Sequence, residues 1–244
     1  NKIPKPFINK FKNIILCEEG SLFKNLINLK IGSFCIDKNT CSIFEQQIIC
    51  SKFDIIKKID PIYELKSVKN NVEIKNTIKA HIEDGVALTK FLYWFKMNKK
   101  KITEKKIESK LEKIRKKSKN YLFPSFDTIA GSGPNGAIIH YKATSESNRV
   151  LKKGDIYLVD SGGQYEFGTT DVTRTISLKN SNQRIKNIFT RVLKGHIAVA
   201  NFKIKKNTFG SKIDFEARKH LKKIGLNYSH GTGHGVGYFL NVHE

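Results

Sequence analysis

The sequence has no long apolar run, and this absence excludes one class of protein. A membrane-spanning helix needs about 18 or more consecutive apolar residues, and the best apolar stretches, 91–95 and 197–202, are much shorter. The sequence therefore predicts neither a membrane span nor a membrane partner. Apolar residues still make up 39% of the 244 residues, which is enough for a globular core and excludes wholesale disorder.

Cysteine is also scarce. All four cysteines lie in the first 50 residues, with no C-x-x-C pair and no histidine nearby; they are Cys17, Cys35, Cys41 and Cys50. A zinc site requires close pairs of ligands, and a disulfide framework is typical of small secreted domains. Neither is supported, so we expect reduced, partly buried thiols in a reducing, cytoplasmic compartment.

Acidic residues are few relative to basic ones. The chain has 22 Asp and Glu against 45 Lys and Arg, which gives a net charge of +23. Residues 96–119 alone hold 12 Lys and Arg against 3 Glu, and these basic residues fill the positions that an apolar helical stripe leaves over. Nucleic-acid-binding surfaces normally add aromatic or glycine-rich interleaving, which this segment lacks. The charge therefore predicts a solvated helix face and no nucleic-acid partner.

The periodicity of the chain predicts two parts. Residues 1–62 read as the C-terminal part of a small α/β domain, with a strand within 29–37 and a helix near 43–50. Pro61 breaks this pattern, because the residue before a proline is pushed out of the helical region. We place a domain boundary there, so that residues 63–244 form a second domain.

The second part alternates helical and extended patterns. One helix is predicted over 71–97, with a broad apolar face, and a second begins after Thr103, its N-cap. Two more are predicted over 182–201 and 211–224. In the last one, Asp214 completes a capping-box-like start and Gly225 ends the helix. Strands are predicted for AIIHY (137–141), IYLVD (156–160) and the alternating run TTDVTRTIS (169–177).

Two features of the second part carry chemistry. Asp160 and Asp171, with ten residues between them, lie on strands predicted to be neighbours, and a histidine run, residues 230–234 (HGTGH), follows the last helix. If the strands pair, both carboxylates can face one side, where their repulsion is costly unless a cation lies between them. Carboxylates with an imidazole suit divalent Mn, Co, Fe or Zn. Glycine beside a ligand lets the backbone approach closely, so the run is a poor choice for packing alone.

These residues resemble a known family. The segments VDSGGQYEFGTTDVTRT, GAIIHY and HGTGHGVGYFLNVHE are similar to the Xaa-Pro aminopeptidases (aminopeptidase P), relatives of prolidase, methionine aminopeptidase and creatinase. The similarity extends to SVKNNVEI and AHIEDGVAL and, more weakly, to the first 60 residues. It implies an α+β pita-bread catalytic domain, in which two αβ halves and a curved antiparallel sheet hold two divalent metal ions, usually Mn²⁺, preceded by the end of a creatinase-N-like α/β domain.

The resemblance assigns roles residue by residue. Asp160 matches a ligand of one metal ion, Asp171 matches the carboxylate that bridges both, and His234 matches the imidazole ligand. Three further histidines match residues of the family that are not ligands: His140, His230 and His243. In the family, these residues line the substrate site, where they hold the peptide carbonyl and the leaving proline and help to move protons. The remaining three, His81, His196 and His220, fall on predicted helices and are expected to be structural.

The resemblance also implies five protein ligands, of which the last two are Glu residues beyond position 244. Glu244 matches the acidic residue of the V-H-E segment and is not expected to be a ligand. The chain starts with Asn1 and stops without a closing element, so we expect it to be a piece of a longer protein, with an incomplete catalytic domain. Used alone, it is expected to be inactive and to bind metal poorly.

The implied reaction removes one N-terminal residue from peptides with proline in second position, by attack of a water held between the two ions. The family often forms dimers, so a homodimer is carried over as an expectation. A prolidase-type X-Pro dipeptidase remains an alternative within the fold, although GTTDVTRT and the C-terminal segment favour the aminopeptidase. A metal-free pita-bread binding module is the other alternative, against which the retained Asp160, Asp171 and His234 argue.

Overall fold

A computed structural model describes residues 13, 16–17, 19–30, 32–98, 101–177 and 181–244. The chain divides into two compact units, Asn1–Val68 and Lys69–Glu244. The boundary predicted after residue 62 falls inside the last helix of the first unit, Pro61–Ser67, and the division of the structure follows that helix.

The first unit is a small α/β arrangement. Its elements are α1 (Leu22–Ile27), β1 (Ser33–Ile36), α2 (Ile43–Cys50), β2 (Asp54–Lys57) and α3 (Pro61–Ser67). The two strands pair in parallel, and α2 begins with a capping box in which Ser42 and Glu45 satisfy each other's backbone N–H groups. The predicted strand and helix are confirmed. All four cysteines are free, but Cys17, Cys35 and Cys50 are exposed, so the predicted partial burial is wrong for these three.

The second unit contains four helices and six strands within its described ranges. They are α4 (Asn71–Met97), α5 (Glu104–Arg115), β3 (Tyr121–Pro124), β4 (Ile129–Ser132), β5 (Ile156–Ser161), β6 (Gly163–Tyr165), β7 (Gly168–Thr169), β8 (Val172–Ser177), α6 (Gln183–Ala200) and α7 (Gly210–Lys222). Thr103 caps α5 as predicted. No helix in the described ranges is both long enough and apolar enough to cross a membrane.

The strands form two antiparallel sheets. One has the order β4-β5-β8 and the other the order β3-β6-β7. The predicted pairing of the strands IYLVD and TTDVTRTIS is confirmed, with Asp160 opposite Thr173. A single chain path, β5 to β6 to β7 to β8, therefore leaves one sheet, enters the other and returns.

The core lies between the first sheet and the helices α4 and α5. It is built from buried apolar side chains, namely Leu88, Phe91, Phe95, Ile107, Leu111, Ala130, Tyr157 and Val159. Phe95 stacks on Tyr157 with ring centroids 5.0 Å apart. The broad apolar face predicted for 71–97 is confirmed only for its second half, because Ile74, Ile78 and Ile82 are exposed in this unit.

Helices α6 and α7 pack closely against each other. A Cβ atom on Gly195 would lie 2.2 Å from the Ala217 carbonyl oxygen, so glycine is required for this approach. The predicted capping-box role of Asp214 is wrong: Phe209 is the N-cap of α7 without a side-chain cap, and Asp214 makes tertiary hydrogen bonds instead. Gly225, predicted to cap the end of the helix, is not its C-cap: Lys223 is, and Gly225 follows two residues later with φ +71°.

The predicted strand AIIHY is also wrong. Residues Gly133–Ala137 form a short 3-10 helix, and an exposed turn follows over 138–140. His140, within the predicted strand, has φ 55°, whereas strand residues have negative φ. His140 therefore projects from a turn rather than from a sheet.

Candidate metal centre

Asp160 stands on the face of β5 that points away from the helices. Tyr157, Val159 and Ser161 are buried on the helix side of the strand, whereas Asp160 is half-buried on the opposite side. The Thr173 hydroxyl, directly across the sheet, donates a hydrogen bond of 2.7 Å to Asp160 Oδ1. Strand alternation thus places one carboxylate on the open face of the sheet.

Asp171 is fixed by the connection between the two sheets. Thr170, which is fully buried, accepts a hydrogen bond from Ser125 Oγ at its carbonyl oxygen and donates its own N–H to Gly163, at 2.8 and 2.9 Å. A Cβ on Gly162 would lie only 1.9 Å from the Thr170 carbonyl oxygen. This close backbone approach therefore needs glycine, and it brings Asp171 back beside Asp160.

The two carboxylates interact. Burial raises the pKa of Asp171 above its ordinary value, the negative charge of Asp160 raises it further, and so does a side-chain hydrogen bond shared with Asp160. The neighbouring His234 and His243 act in the opposite direction. A pair of adjacent, partly desolvated carboxylates is unfavourable unless a proton or a cation compensates it.

His234 faces Asp171. Its Nε2 atom lies 3.2 Å from Asp171 Oδ2, and its Nδ1 atom lies 2.7 Å from the carbonyl oxygen of Gly235. A carbonyl oxygen only accepts, so Nδ1 carries the proton in this hydrogen bond. In the neutral ring, Nε2 then presents a lone pair to the carboxylate, which is favourable only when a proton or a cation lies between them.

His243 joins this group through a short hairpin. Gly235 and Glu244 exchange backbone hydrogen bonds of 3.2 and 2.9 Å, which brings the His243 ring to 4.2 Å from the His234 ring, edge to face. The hairpin is tied to the β6–β7 pair, because the buried Gln164 Oε1 accepts the Leu240 N–H at 3.0 Å. Asp160, Asp171, His234 and His243 are therefore brought together.

The other two candidate histidines lie apart from this group. Within the described part of the chain, neither His140 nor His230 makes a hydrogen bond, an ion pair or a ring contact with Asp171 or His234. His230 stacks on Tyr228 with centroids 4.6 Å apart, and its Nδ1 lies 2.7 Å from the Gly231 carbonyl oxygen. Their predicted place in a substrate site stays a prediction.

The remaining polar residues behave as ordinary structural groups. Glu244 Oε2 lies 2.5 Å from Lys69 Nζ. His81 on α4 donates from Nδ1 to the Thr77 carbonyl oxygen, one turn earlier, at 2.9 Å. His196 is exposed on α6, and the half-buried His220 lies on α7.

The donor set fits a divalent metal ion. Two carboxylates and one imidazole nitrogen are the ligands that Mn, Co, Fe and Zn accept, and the open Nε2 lone pair of His234 with the crowded Asp160–Asp171 pair leaves room for positive charge. Among the described residues, however, no group of three or more His, Cys, Asp or Glu side chains is already arranged to hold an ion.

Sequence reasoning missed the side chains that position these groups. Thr173 binds Asp160, and the alternation of Asp171, Thr173 and Thr175 was a signal for it. Arg218 and Thr232, which hold the histidine run, and the buried pair Asp84–Arg115 beneath β5 left no sequence signal, since each depends on contacts between distant residues.

The chain is similar to proteins of known family. Residues 75–244 match metallopeptidase family M24. The chain is 46% identical over 188 residues to a probable Xaa-Pro aminopeptidase P of Paracoccidioides lutzii, covering 75% of this chain and 30% of that protein. It is 45% identical over 197 residues to Xaa-Pro aminopeptidase 1 of Dictyostelium discoideum, covering 78% and 31%. The chain thus spans less than a third of the length of these curated relatives.

Solved structures show the same fold. The X-prolyl aminopeptidase of Caenorhabditis elegans, described as a cytosolic enzyme with a di-nuclear active site, matches with a TM-score of 0.74 at 38% identity, over 78% of this chain and 32% of that one. The prolidase of Pyrococcus horikoshii matches with a TM-score of 0.80 at 25% identity, over 98% and 67%. The predicted pita-bread fold is confirmed.

Proposed function

Since the chain belongs to metallopeptidase family M24, we propose that this protein is a metal-dependent Xaa-Pro aminopeptidase, which releases the N-terminal residue from peptides with proline in second position. The observation that carries the proposal is the cluster in which Asp171 meets Asp160 on one side and His234 on the other, at the open face of a sheet. The named relatives, which are Xaa-Pro aminopeptidases, support this choice of substrate.

Asp160, Asp171 and His234 are the residues that would hold the metal. We propose two divalent ions, with Mn²⁺ as the native metal, for which Asp171 would be a ligand together with Asp160 and His234. A divalent ion supplies two things when bound: it acidifies a coordinated water and polarises the carbonyl that is attacked.

The chain's own residues prepare the site for this chemistry. Thr173 Oγ1 fixes the Asp160 carboxylate by a 2.7 Å hydrogen bond, and the Gly235 carbonyl fixes the His234 tautomer with its Nε2 lone pair outward. Such outer partners orient both ligands, and the hydrogen bond that His234 donates to a carbonyl also makes its other ring nitrogen more basic. We assign to His243, whose ring packs against that of His234, the role of donating an imidazole N–H to the oxyanion that forms from the substrate carbonyl.

His230 is suited to a proton-transfer role. Its Nδ1 atom donates to the Gly231 carbonyl oxygen, so its Nε2 atom is left to accept a proton or to bind the substrate. His140 lies in an exposed turn and is assigned to the part of the substrate site that holds the proline ring. The X-Pro bond has no N–H, so a site shaped for the ring selects it over other peptide bonds.

The proposal extends to the cellular compartment and the oligomeric state of the protein. The relative from C. elegans is described as cytosolic, and the four free cysteines of this chain suit a reducing compartment. We propose that the protein is cytoplasmic and that it forms a homodimer.

Hydrolysis of defined peptides tests this function in the whole protein, with any sequence that flanks these 244 residues. Purified metal-free protein is supplied with Mn²⁺ and incubated with three peptides. They are a tripeptide that begins with Gly-Pro, the dipeptide Gly-Pro and a tripeptide that begins with Gly-Ala. We expect cleavage of the first after Gly and no cleavage of the third. His234→Ala is expected to lose both Mn²⁺ binding and cleavage, whereas the exposed His196→Ala on α6 keeps both.

Two outcomes would replace the proposal. Cleavage of the dipeptide alone indicates a prolidase, a reading to which the prolidase neighbours give some support. No cleavage of any peptide, with no Mn²⁺ binding and a salt-dependent complex with nucleic acid, indicates a binding module instead.

A further inference from the structure

The histidine run is not held in one conformation by regular secondary structure or by packing of its own glycines. Residues 229–234 are exposed and adopt no helix or strand. Gly231 and Gly233 have no atom within 4 Å of the place where a Cβ would lie, so neither is locked by packing. Glycine loses more conformational freedom on ordering than any other residue. The order of this run must therefore come from side chains outside it.

Arg218 on α7 binds the first residue of the run, His230, and two residues just before it, Asn227 and Tyr228. Its Nη1 atom donates to Asn227 Oδ1 at 3.0 Å and to the Tyr228 carbonyl oxygen at 2.5 Å, and its Nη2 atom donates to the His230 carbonyl oxygen at 2.8 Å. The guanidinium carbon also lies 3.9 Å from the centre of the Tyr228 ring. Only 13% of the Arg218 side chain is exposed, and its bond to the Tyr228 carbonyl is partly buried, whereas those to Asn227 and His230 reach exposed groups.

Asp214, one turn earlier on α7, holds Arg218 and reaches the run itself. Both of its carboxylate oxygens accept from Arg218 Nε at 2.8 Å, and Oδ1 also accepts from Thr232 Oγ1 at 2.5 Å. The Tyr228 and Thr232 hydroxyls are 2.7 Å apart. The contacts therefore close a ring through Asp214, Arg218, Tyr228 and Thr232. Hydrogen bonds from Thr232 and Arg218 keep the pKa of Asp214 below its usual value, in agreement with this geometry.

We propose that Arg218 is a positioning residue for the candidate metal centre: by binding the backbone of the histidine run, it holds His234 toward Asp171 and His230 in its place on Tyr228. The proposal deepens the proposed function and rests on it for its kinetic part only. Arg218 itself touches neither Asp171 nor the ring of His234. The hairpin that follows the run fixes His234 from its other side, through Leu240 and Gln164, so Arg218 is the anchor on the upstream side.

A planar guanidinium is needed for this role. It serves one carboxylate and two backbone carbonyls at fixed angles, whereas the ammonium of a lysine is a point charge without this fork geometry. Arg218→Lys therefore keeps the charge but loses most of the bonds, and Arg218→Met loses all of them.

Arg191 is a matched control. It also donates to a backbone carbonyl on α7, that of His220 at 3.0 Å, and it binds Asn187 on its own helix at 2.7 Å. It makes no contact with residues 228–234 among the described residues. A residue that only joins α6 to α7 is thus compared with one that joins α7 to the run.

The experiment compares the whole protein with its variants Arg218→Lys, Arg218→Met and Arg191→Met. First, amide hydrogen exchange of the metal-free proteins is measured over 228–234. Second, Mn²⁺ alone is titrated into each protein. Third, kcat and KM are measured with a Gly-Pro tripeptide. For both Arg218 variants we expect exchange in the run to accelerate by about tenfold or more, Mn²⁺ binding to weaken by about 10- to 100-fold, and kcat to fall more than KM rises.

Arg191→Met is expected to leave run exchange and Mn²⁺ binding as in the wild type. Unchanged exchange and unchanged Mn²⁺ affinity in the Arg218 variants would overturn the proposal, as would equal effects in Arg191→Met. If the wild type cleaves no peptide, the proposed function fails, but the exchange and metal arms still decide the role of Arg218. If Arg218→Met does not fold, Arg218→Lys and Thr232→Val, which removes only the Asp214 and Tyr228 contacts of Thr232, carry the same comparison.

Discussion

The Arg115 guanidinium donates two hydrogen bonds to the Asp84 carboxylate, from Nε to Oδ1 at 2.7 Å and from Nη2 to Oδ2 at 3.1 Å. Both side chains are almost completely buried, with exposed fractions of 1% and 3%. Arg115 Nη2 also binds Ser161, the neighbour of Asp160 on β5, and the Tyr165 hydroxyl donates to Asp84. A buried network therefore supports the strand that carries one of the proposed metal ligands.

Breaking this pair is expected to destabilise the second unit strongly. Asp84→Asn leaves the Arg115 charge buried without its counter-charge, which costs about 3–5 kcal/mol of the free energy of unfolding. The control is the exposed pair Lys142–Asp127, for which Lys142→Met should leave the free energy of unfolding nearly unchanged, because water screens this pair. Urea unfolding followed by circular dichroism measures both variants. Similar losses in the two would show that the buried network carries no special weight.

Gly162 and Gly85 offer a pair of opposite alanine substitutions. A Cβ on Gly162 would collide with the Thr170 carbonyl oxygen and with Ser125 Oγ, at 1.9 and 2.2 Å, so the backbone beside Asp171 must shift. We expect Gly162→Ala to lower the free energy of unfolding by about 1–3 kcal/mol. Gly85, inside α4, has nothing within 4 Å of its Cβ position, so Gly85→Ala should raise stability by about 0.5–1 kcal/mol. Denaturant midpoints decide between this result and a destabilisation of equal size at both sites.

Local pattern was sufficient for the parts of the site that lie on regular strands. The strand ending at Asp160 and the alternating run from Asp171 pair as their periodicity indicates, because one face of each is apolar and must meet the core. The position of Asp160 on the open face follows from that pairing, whereas Asp171, just before β8, also depends on the buried contacts of Thr170. The long helix α4 was equally accessible from the spacing of its apolar residues.

Tertiary contacts decided the rest. Ile138 and Ile139 look like a strand but are exposed in a turn, since Gly133 and His140 take positive φ angles that the apolar pattern does not reveal. Asp214 has the spacing of a capping residue, yet its carboxylate binds Arg218 and Thr232. Hydrogen bonds to residues distant in sequence outweigh local capping, and a single sequence does not display them.

The buried carboxylate of Glu104 should be essential to the loop that carries His140. It accepts hydrogen bonds from Ser132 N, Arg149 N and the Tyr141 hydroxyl at 2.7, 2.9 and 2.9 Å, and Asn135 Nδ2 lies 3.2 and 3.1 Å from its two oxygens. Glu104→Gln replaces one acceptor by a donor, so we expect a loss of about 1.5–3 kcal/mol in the free energy of unfolding.

The matched control for Glu104 is one turn further along α5. Burial raises the pKa of Glu108, which means that its environment disfavours the charged form. Glu108→Gln should therefore change stability by no more than about 0.5 kcal/mol. Hydrogen exchange over 132–141 adds a local readout, which should accelerate in Glu104→Gln alone. Equal exchange in the two variants would contradict the role given to Glu104.

The contact between Asp214 and Thr232 predicts a dependence of stability on pH. The hydrogen bond from Thr232, followed by that from Arg218, lowers the pKa of Asp214 below its ordinary value of 3.8. A carboxyl whose pKa is lower in the folded state than in the unfolded state adds stability that is complete above the unfolded pKa and is lost as the pH falls through the folded pKa. The contribution of Asp214 should therefore be constant above about pH 5 and should disappear as the pH falls below 3.8.

In Thr232→Val the largest cause of the shift is gone, so the pKa of Asp214, followed by carbon NMR of its carboxyl group, should move up toward 3.8. Ser211→Ala, at an exposed position on the same helix, should leave it unchanged. A pKa of Asp214 that is the same in Thr232→Val and in the wild type would mean that the histidine run is not held to α7 through this hydrogen bond.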